Sequence, residues 1–204
     1  SILEKSKNYK TSFVIQKKDG FKGKLSITDS QVYYDDILYF NIPKKSKIAV
    51  LSINDNTSSV FLKKIYSEDE FIFKSQDYKN LDFSQIKNTN LIVLNGVNDI
   101  SVALKNSLKD FMTNGGITVL IPGDQGNISS YNQLISTQTN HFLKPIKSQK
   151  KSITDLEFDH FILKEVFKTK VTNFQYPYVN SYYPTTTLTN KILSFEDQQA
   201  FLSQ

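Results

Sequence analysis

Residues 91–123 read LIVLNGVNDISVALKNSLKDFMTNGGITVLIPG, and this stretch decides the fold. The runs at 91–94 and 117–121 are almost wholly apolar, which is typical of strands buried on both faces of a sheet. Between them, apolar side chains recur at the spacing of one helix face, at Leu104, Leu108, Phe111 and Met112. The Asn-Gly-Gly sequence at 114–116 can end this helix, because glycine tolerates a left-handed backbone. The stretch therefore predicts two parallel strands joined by a crossover helix.

The same alternation continues upstream. A nearly continuous apolar run at 47–53 predicts another buried strand, and residues 55–58 favour the start of a helix. A helical stripe follows at 60–65, a strand at 71–73 and a short helix at 81–86. This order of elements is typical of a doubly wound sheet.

Downstream of residue 123 the pattern weakens. A helix is predicted at 128–136, and short strands are predicted at 166–167 and 192–195. Together with the upstream elements, they lead us to expect an α/β domain over residues 46–204. Its predicted architecture is a flavodoxin-like three-layer sandwich.

Residues 1–43 have a different character and predict a short antiparallel β segment. Period-two alternation between turn residues indicates four strands, at 12–16, 24–27, 31–34 and 37–42. Because four short strands alone have little to pack against, we expect a partial β-sandwich segment. The polar break Pro43-Lys44-Lys45-Ser46 separates it from the α/β domain.

The composition excludes several kinds of site. The 204-residue chain contains no cysteine, which excludes disulfides, thiolate metal sites and cysteine nucleophiles. All 25 basic residues are lysine, and the lack of arginine argues against nucleic-acid recognition. Residues 1–47 hold ten lysines against five acidic residues. This excess indicates either a solvated basic face or an acidic partner or membrane surface.

Several ordered pieces of the chain carry a family resemblance. LIVLNG, a helix ending in NGG, and ITVLIPG resemble the class I glutamine amidotransferase-like fold. From about residue 20 onward the chain is also similar to the aerotolerance-regulator group of Bacteroidetes envelope proteins. The matching pieces are GKLSITDSQVYYDDILYFNIPKKSKIAVL, LDFSQI, LIVLNGVNDIS, LKDFMTNGGITVLIPGD, LEFDHFILKEVF and ILSFEDQQAFL.

This resemblance implies a parent protein anchored in a membrane by helices near both ends. It further implies β-sandwich material and an α/β domain on the periplasmic side of a bacterial membrane. The chain itself has no run of the ~18 apolar residues that span a bilayer. It begins Ser1-Ile2-Leu3 without methionine, so we expect it to be a piece of a longer protein.

The chemistry of catalytic members of the resembled fold is missing. Those enzymes place a cysteine at a tight strand-to-helix turn, where a histidine activates it. The corresponding turn is Pro122-Gly123-Asp124-Gln125, which offers no hydroxyl nucleophile either. Ser129 and Ser130 follow in a predicted helix, as cap or surface residues. His141 follows a polar stretch, and His160 is expected either to pack in a loop or to line the cleft as a relic. No catalytic residue, cofactor or metal site is therefore predicted.

Position alone predicts a ligand crevice. Open α/β sheets bind ligands at the carboxyl ends of neighbouring parallel strands. The residues predicted to line this crevice are Asn95, Gly96, Pro122, Gly123, Asp124, Gln125 and His160. The glycines do not belong to a phosphate loop, because the lysine and hydroxyl residues of that motif are lacking. Either a small polar ligand or a partner peptide docks here, or the glycines serve turn geometry alone.

Two further clusters each allow a structural interpretation and a functional one. The acidic residues Asp155, Glu157 and Asp159 suit a solvated strand face, or a calcium or glycosidase site that lacks the usual loop spacing. Four tyrosines, placed in irregular connections, suit either edge packing or a binding interface. They are Tyr176, Tyr178, Tyr182 and Tyr183.

The hypothesis that we carry forward is a non-catalytic interaction module of a membrane-anchored envelope protein. Its expected partners are other envelope proteins, with no nucleic acid and no cofactor. One alternative is an enzyme of altered chemistry that uses Asp124, His160 or the acidic stretch. The other is a small-molecule sensor that uses the crevice. The identity of any partner or ligand lies beyond the sequence.

Overall fold

The computed structural model describes residues 10–12, 14, 20–27, 36–44, 46–136, 143–164, 166, 176–186 and 190–204. The chain separates into two compact units, Ser1–Lys47 and Ile48–Gln204. The boundary falls beside the polar Lys-Lys-Ser sequence that ends the N-terminal β segment.

The first unit contains an antiparallel strand pair. Strands β1 (Phe21–Ser26) and β2 (Ile37–Ile42) pair with Phe21 opposite Ile42 and Ser26 opposite Ile37. The strands predicted at 24–27 and 37–42 are thereby confirmed, the first with a shifted start. The strand predicted at 31–34 lies outside the described residues, as does most of the one predicted at 12–16.

The second unit contains a four-stranded parallel sheet. Its strands are β3 (Ile48–Asn54), β4 (Phe71–Asp77), β5 (Leu91–Asn95) and β6 (Ile117–Ile121). They lie in the order β4-β3-β5-β6, and every pair is parallel. The predicted parallel pairing is therefore confirmed.

Helices connect these strands. They are α1 (Val60–Ile65), α2 (Val102–Thr113) and α3 (Ile128–Ile135), with 3-10 turns at Tyr78–Asn80 and Phe83–Asn88. Ser101 caps α2 by accepting a hydrogen bond from the Leu104 backbone N–H. Gly115 follows α2 with a φ of 87°, a left-handed conformation that glycine adopts without strain. The predicted helices at 60–65, 104–112 and 128–136 are confirmed.

The main buried cluster of this sheet lies on one face. Leu51, Ile53, Ile92 and Leu94 point to the same side and are fully buried against α2, α3 and the second 3-10 turn. Strand β4 lies on one side of β3 and β5 on the other. The connections therefore diverge from β3, and the carboxyl ends of β3 and β5 form a topological switch point.

An antiparallel sheet completes the unit. Its strands are β7 (Lys147–Leu156), β8 (Tyr178–Tyr182), β9 (Lys191–Phe195) and β10 (Ala200–Ser203), in the order β10-β9-β7-β8. A short helix, α4 (Phe161–Lys164), follows β7. The predicted strand at 192–195 is confirmed. The fold is mixed α/β, with much sheet and short helices.

Three predictions for this region are wrong. Val166 lies in a turn rather than a strand, two residues after the end of α4, and Phe167 lies outside the described residues. Tyr178 and Tyr182 are strand residues of β8, not members of irregular connections. The acidic stretch is not one strand face, since β7 ends at Leu156 and Asp159 lies in the turn that follows.

A buried lysine marks the core of the antiparallel sheet. The Lys151 side chain is 4% exposed, pairs with Asp197 and lies 4.4 Å from the Tyr182 ring centroid. Burial alone would lower the pKa of Lys151, but hydrogen bonds to Asp197 and Tyr182 outweigh it and leave that pKa raised. The ammonium therefore stays charged, and the pair joins β7 to the turn before β10.

Among the described residues, no helix is long and apolar enough to cross a membrane.

Candidate functional site

A buried polar network occupies the switch point. Asn54 and Asn95 end strands β3 and β5, and each is 6% exposed. The Asn95 side-chain amide donates to Asn54 Oδ1 at 2.8 Å and to the Ser58 carbonyl. The Asn54 amide in turn donates to Ser75 Oγ at 2.9 Å, and Asn54 Oδ1 also accepts from Ser52 Oγ. These bonds satisfy buried amides that would otherwise cost stability, and they tie both strand ends to the chain entering α1.

In the turn after β6, side-chain oxygens accept hydrogen bonds from the backbone amides, and we call this turn closed. The Gly123 N–H donates to the Tyr131 hydroxyl at 3.0 Å, and the Gly126 N–H donates to the Tyr183 hydroxyl at 3.1 Å. The Gln125 N–H donates to Asn98 Oδ1 at 3.2 Å. In acyl-transfer enzymes, backbone N–H groups at such a turn stay open to stabilise an oxyanion. Here three of them are occupied by side chains.

The two tyrosine hydroxyls each act as a hydrogen-bond acceptor and as a donor at this turn. Tyr131, which is fully buried, also donates to the Val97 carbonyl at 2.7 Å. Burial raises the pKa of the Tyr131 hydroxyl. The hydroxyl therefore keeps the proton that it donates to the Val97 carbonyl. The Tyr183 hydroxyl likewise donates to the Gly123 carbonyl. Each hydroxyl thus both accepts from and donates to the backbone around the turn.

Close packing of two glycines leaves no gap between the ends of β5 and β6. A Cβ atom on Gly123 would lie 2.6 Å from the Gly96 carbonyl oxygen and would overlap Asn98 Oδ1. Gly96 has a φ of 69°, and a Cβ there would overlap Thr57 Oγ1. Asn98 is held in place by hydrogen bonds to Asp55 Oδ2, the shorter of them 3.4 Å. The predicted crevice is therefore filled by side chains between these two strand ends.

The structure brings some of the predicted site residues together and separates others. Asn95, Gly96 and Gly123 are buried at adjoining strand ends, whereas Asp124 and Gln125 are exposed on the turn. His160 lies after β7, and its hydrogen bonds stay within residues 157–164. Among the described residues, no hydrogen bond joins its imidazole to the turn after β6.

Sequence reasoning missed three residues that build this site. Asn98, Tyr131 and Tyr183 supply the partners of the turn amides, and the last lies 60 residues from the turn residue that it bonds. The density of tyrosines at 176–183 was a signal that could have led to Tyr183. Nothing in the local pattern distinguishes Tyr131 from any other inward-facing residue of α3.

A cavity lies beside the turn rather than within it. Its volume is about 460 Å³, and Pro122 and Asp124 belong to its lining. The remaining lining comes from β6, β10, the ends of β8 and β9, Ile135 of α3, Gln204, and the segments around Leu143 and Thr185, which form a β-bridge. Ligand pockets commonly measure 300–1,000 Å³, so the cavity is large enough for a ligand.

The described part of the chain holds no cluster of three or more side chains that suits a metal ion. The chain also has no cysteine. The exposed Asp124 has no histidine hydrogen-bonded to it in the described residues. His141 lies outside the described residues.

Comparison with solved structures gives a likeness of fold. No protein-family model matches the chain, and no curated protein matches it. The crystal structure of a protein named as ThuA-like, from Bacteroides uniformis ATCC 8492, superposes with a TM-score of 0.54. The two chains are 14% identical over 77% of this chain and 71% of the other. At this identity the likeness concerns the fold alone.

Proposed function

We propose that residues 48–204 form a non-catalytic binding module with a glutamine amidotransferase-like fold. The strand order β4-β3-β5-β6 equals the first four positions of the flavodoxin-like order 2-1-3-4-5. The fold likeness to the ThuA-like protein supports the same assignment. A separate antiparallel sheet follows the parallel sheet along the chain, which distinguishes this unit from a regular three-layer sandwich.

The closed turn after β6 is the observation that carries the non-catalytic assignment. In the resembled enzymes this turn presents a nucleophile and open backbone amides. In this chain the turn has no nucleophile, and its backbone N–H groups donate to the side chains of Asn98, Tyr131 and Tyr183. Both requirements of acyl transfer are therefore lacking at the same place.

Turnover measurements test this assignment. We expect the purified chain to hydrolyse chromogenic amide, ester and glycoside substrates no faster than buffer does. The matched variants Asp124→Asn and His160→Ala remove the two side chains most suited to altered chemistry, and both should leave the rate unchanged. Saturable turnover by the wild-type chain that either variant abolishes would establish an enzyme instead.

We place the module in the periplasmic part of a membrane-anchored envelope protein, with other envelope proteins as its partners. This placement rests on the sequence pieces that resemble the aerotolerance-regulator group. Protease added to spheroplasts should cleave the full-length parent protein at this module. Protection until the inner membrane is disrupted would place the module on the cytoplasmic side and overturn this part of the proposal.

The cavity beside β6 favours a second candidate, a small-molecule sensor. Its volume of about 460 Å³ lies within the range of small-ligand sites. A ligand that binds the native state raises the apparent stability by mass action. A thermal shift by a metabolite, lost when Ala200 in the cavity wall is replaced by tryptophan, would favour the sensor over the protein-binding module.

A further inference from the structure

Two strand edges form walls of the cavity beside the turn. Strand β6 contributes the consecutive residues 118–121, and β10 contributes the consecutive residues 200–203. Side chains of a strand alternate between its two faces, so a cavity on one face would be lined by every second residue. Consecutive lining residues therefore mean that both strands meet the cavity along their edges.

The edge of β6 carries main-chain groups that point away from its sheet. The Ile117 N–H donates to the Asn90 carbonyl, and the Ile121 carbonyl accepts from the Gly96 N–H. Residues at odd positions thus pair with β5, and the N–H and C=O groups of Thr118 and Leu120 point the other way. In the described residues β6 and β10 are each the last strand of their sheet. Such open edges are templates for pairing with another strand.

Two buried hydroxyl groups in the lining have no hydrogen-bond partner among the described residues. They are Thr118 Oγ1, on β6, and Thr185 Oγ1, on the segment bridged to Leu143. Buried polar atoms in folded proteins nearly always have partners. Both threonines belong to the lining, so polar atoms without partners lie close to the cavity wall.

We propose that the cavity binds an extended peptide segment of a partner protein, which adds as a strand beside β6 and β10. This inference rests on the proposed function of the module as a binding protein. A peptide backbone carries alternating donors and acceptors on both of its edges, which suits two open strand edges better than a compact small molecule does. Strand β6 has five residues and β10 has four, so the paired segment is about four or five residues long.

The lining also specifies the side chains of the peptide. Asp124 is the one charged side chain among the lining residues that the structure describes, and it lies at the turn after β6. Apart from Gln204, the rest of the lining is apolar or hydroxyl-bearing, including Leu120 and Phe195. The bound segment is therefore rich in β-branched or aromatic residues and carries one basic residue, at the end next to Asp124.

The test uses the purified chain and a random heptapeptide library displayed on phage. Enriched peptides are synthesised, and their affinities are measured by calorimetry. Each peptide is then made with N-methyl groups on alternate residues, in one register and in the other. Because a strand between two edges uses both sets of its N–H groups, methylation in either register should weaken binding about tenfold or more.

A protein variant tests the same contact from the other side. Thr118→Pro removes a main-chain donor from the open edge of β6, where proline is tolerated in strands. We expect it to weaken the peptide about tenfold. The matched control is Ile117→Thr on the same strand, whose N–H pairs with Asn90 and whose side chain lies outside the described lining. It should change the affinity less than about twofold.

The outcomes separate this inference from the proposed function. Failure of all library peptides to bind, or binding that N-methylation leaves unchanged, would overturn strand addition. The same holds for a metabolite that binds the cavity and displaces the enriched peptides. Cleavage of a bound peptide, seen by mass spectrometry, would instead overturn the non-catalytic function while supporting the docking site. The methylated peptides are tested on wild-type protein, so the result does not depend on how Thr118→Pro folds.

Discussion

Gly123→Ala should destabilise the α/β unit by about 3 kcal/mol or more. A Cβ at this position would lie 2.6 Å from the Gly96 carbonyl oxygen, and it would overlap the side-chain oxygen of Asn98. The carbonyl belongs to the backbone at the end of β5 and cannot rotate away. Asn98 is held by Asp55 and by the Gln125 N–H, so it cannot yield without breaking those bonds.

Chemical denaturation, followed by circular dichroism, measures this effect. Gly115→Ala is the matched control, since Gly115 has a φ of 87° and no atom within 4 Å of an added Cβ. Its cost should be the conformational one of about 1 kcal/mol. Equal losses for the two variants would mean that the ends of β5 and β6 are not in close contact, and that a crevice is open between them.

Tyr131→Phe should cost about 2–4 kcal/mol of folding stability, because it leaves two buried backbone groups without partners. The Val97 carbonyl would lose its donor, and the Gly123 N–H would lose its acceptor. The ring itself still fits, since phenylalanine keeps the shape of the buried side chain. The loss therefore reports the two hydrogen bonds rather than a cavity.

Tyr78→Phe is the control for this substitution. The Tyr78 hydroxyl accepts one hydrogen bond, from the exposed Ser101 N–H at 3.0 Å, so its removal should cost less than about 1 kcal/mol. The difference between wild type and Tyr131→Phe should also depend on pH. Because burial raises the pKa of Tyr131, its contribution is full below about pH 10 and is lost as the pH rises through the folded-state pKa. A loss that equals that of Tyr78→Phe, or that does not change at high pH, would contradict the buried role of this hydroxyl.

The parallel sheet could be predicted because its strands are buried on both faces. Residues such as Val93 and Leu94, both almost fully buried, leave an uninterrupted apolar run in the sequence. Helix α2 was predictable for a related reason, since Leu104 and Leu108 repeat at helical spacing and are both fully buried. In these elements the local pattern and the tertiary burial agree.

The antiparallel sheet was harder to predict because its longest strand, β7, is mostly polar. Strand β7 reads KSQKKSITDL, and its two buried residues, Lys151 and Ile153, include a lysine. That lysine is buried through its pairing with Asp197, 46 residues later in the chain. No window of local hydrophobicity contains that partner, so the alternation that marks a strand was hidden.

The position of the candidate site was predictable from the sequence, but whether it is open or filled by side chains was not. Neighbouring parallel strands place Gly96 and Gly123 at one edge of the sheet, as the sequence indicated. Whether that edge is open depends on side chains from distant segments. Tyr183 reaches the turn from beyond β8, and Asn98 is oriented by Asp55 from the end of β3. Contacts between such distant positions follow from the folded structure and not from spacing.

The central claim is that the turn after β6 is a closed structural element and not a catalytic elbow. Backbone amide hydrogen exchange at Gly123, measured by NMR on the wild-type chain, tests it most directly. We predict exchange slowed by orders of magnitude relative to an unfolded chain, because this N–H is bonded to a buried tyrosine hydroxyl. Exchange at the rate of an unprotected amide, in a chain that is otherwise folded, would show an open turn and contradict the claim.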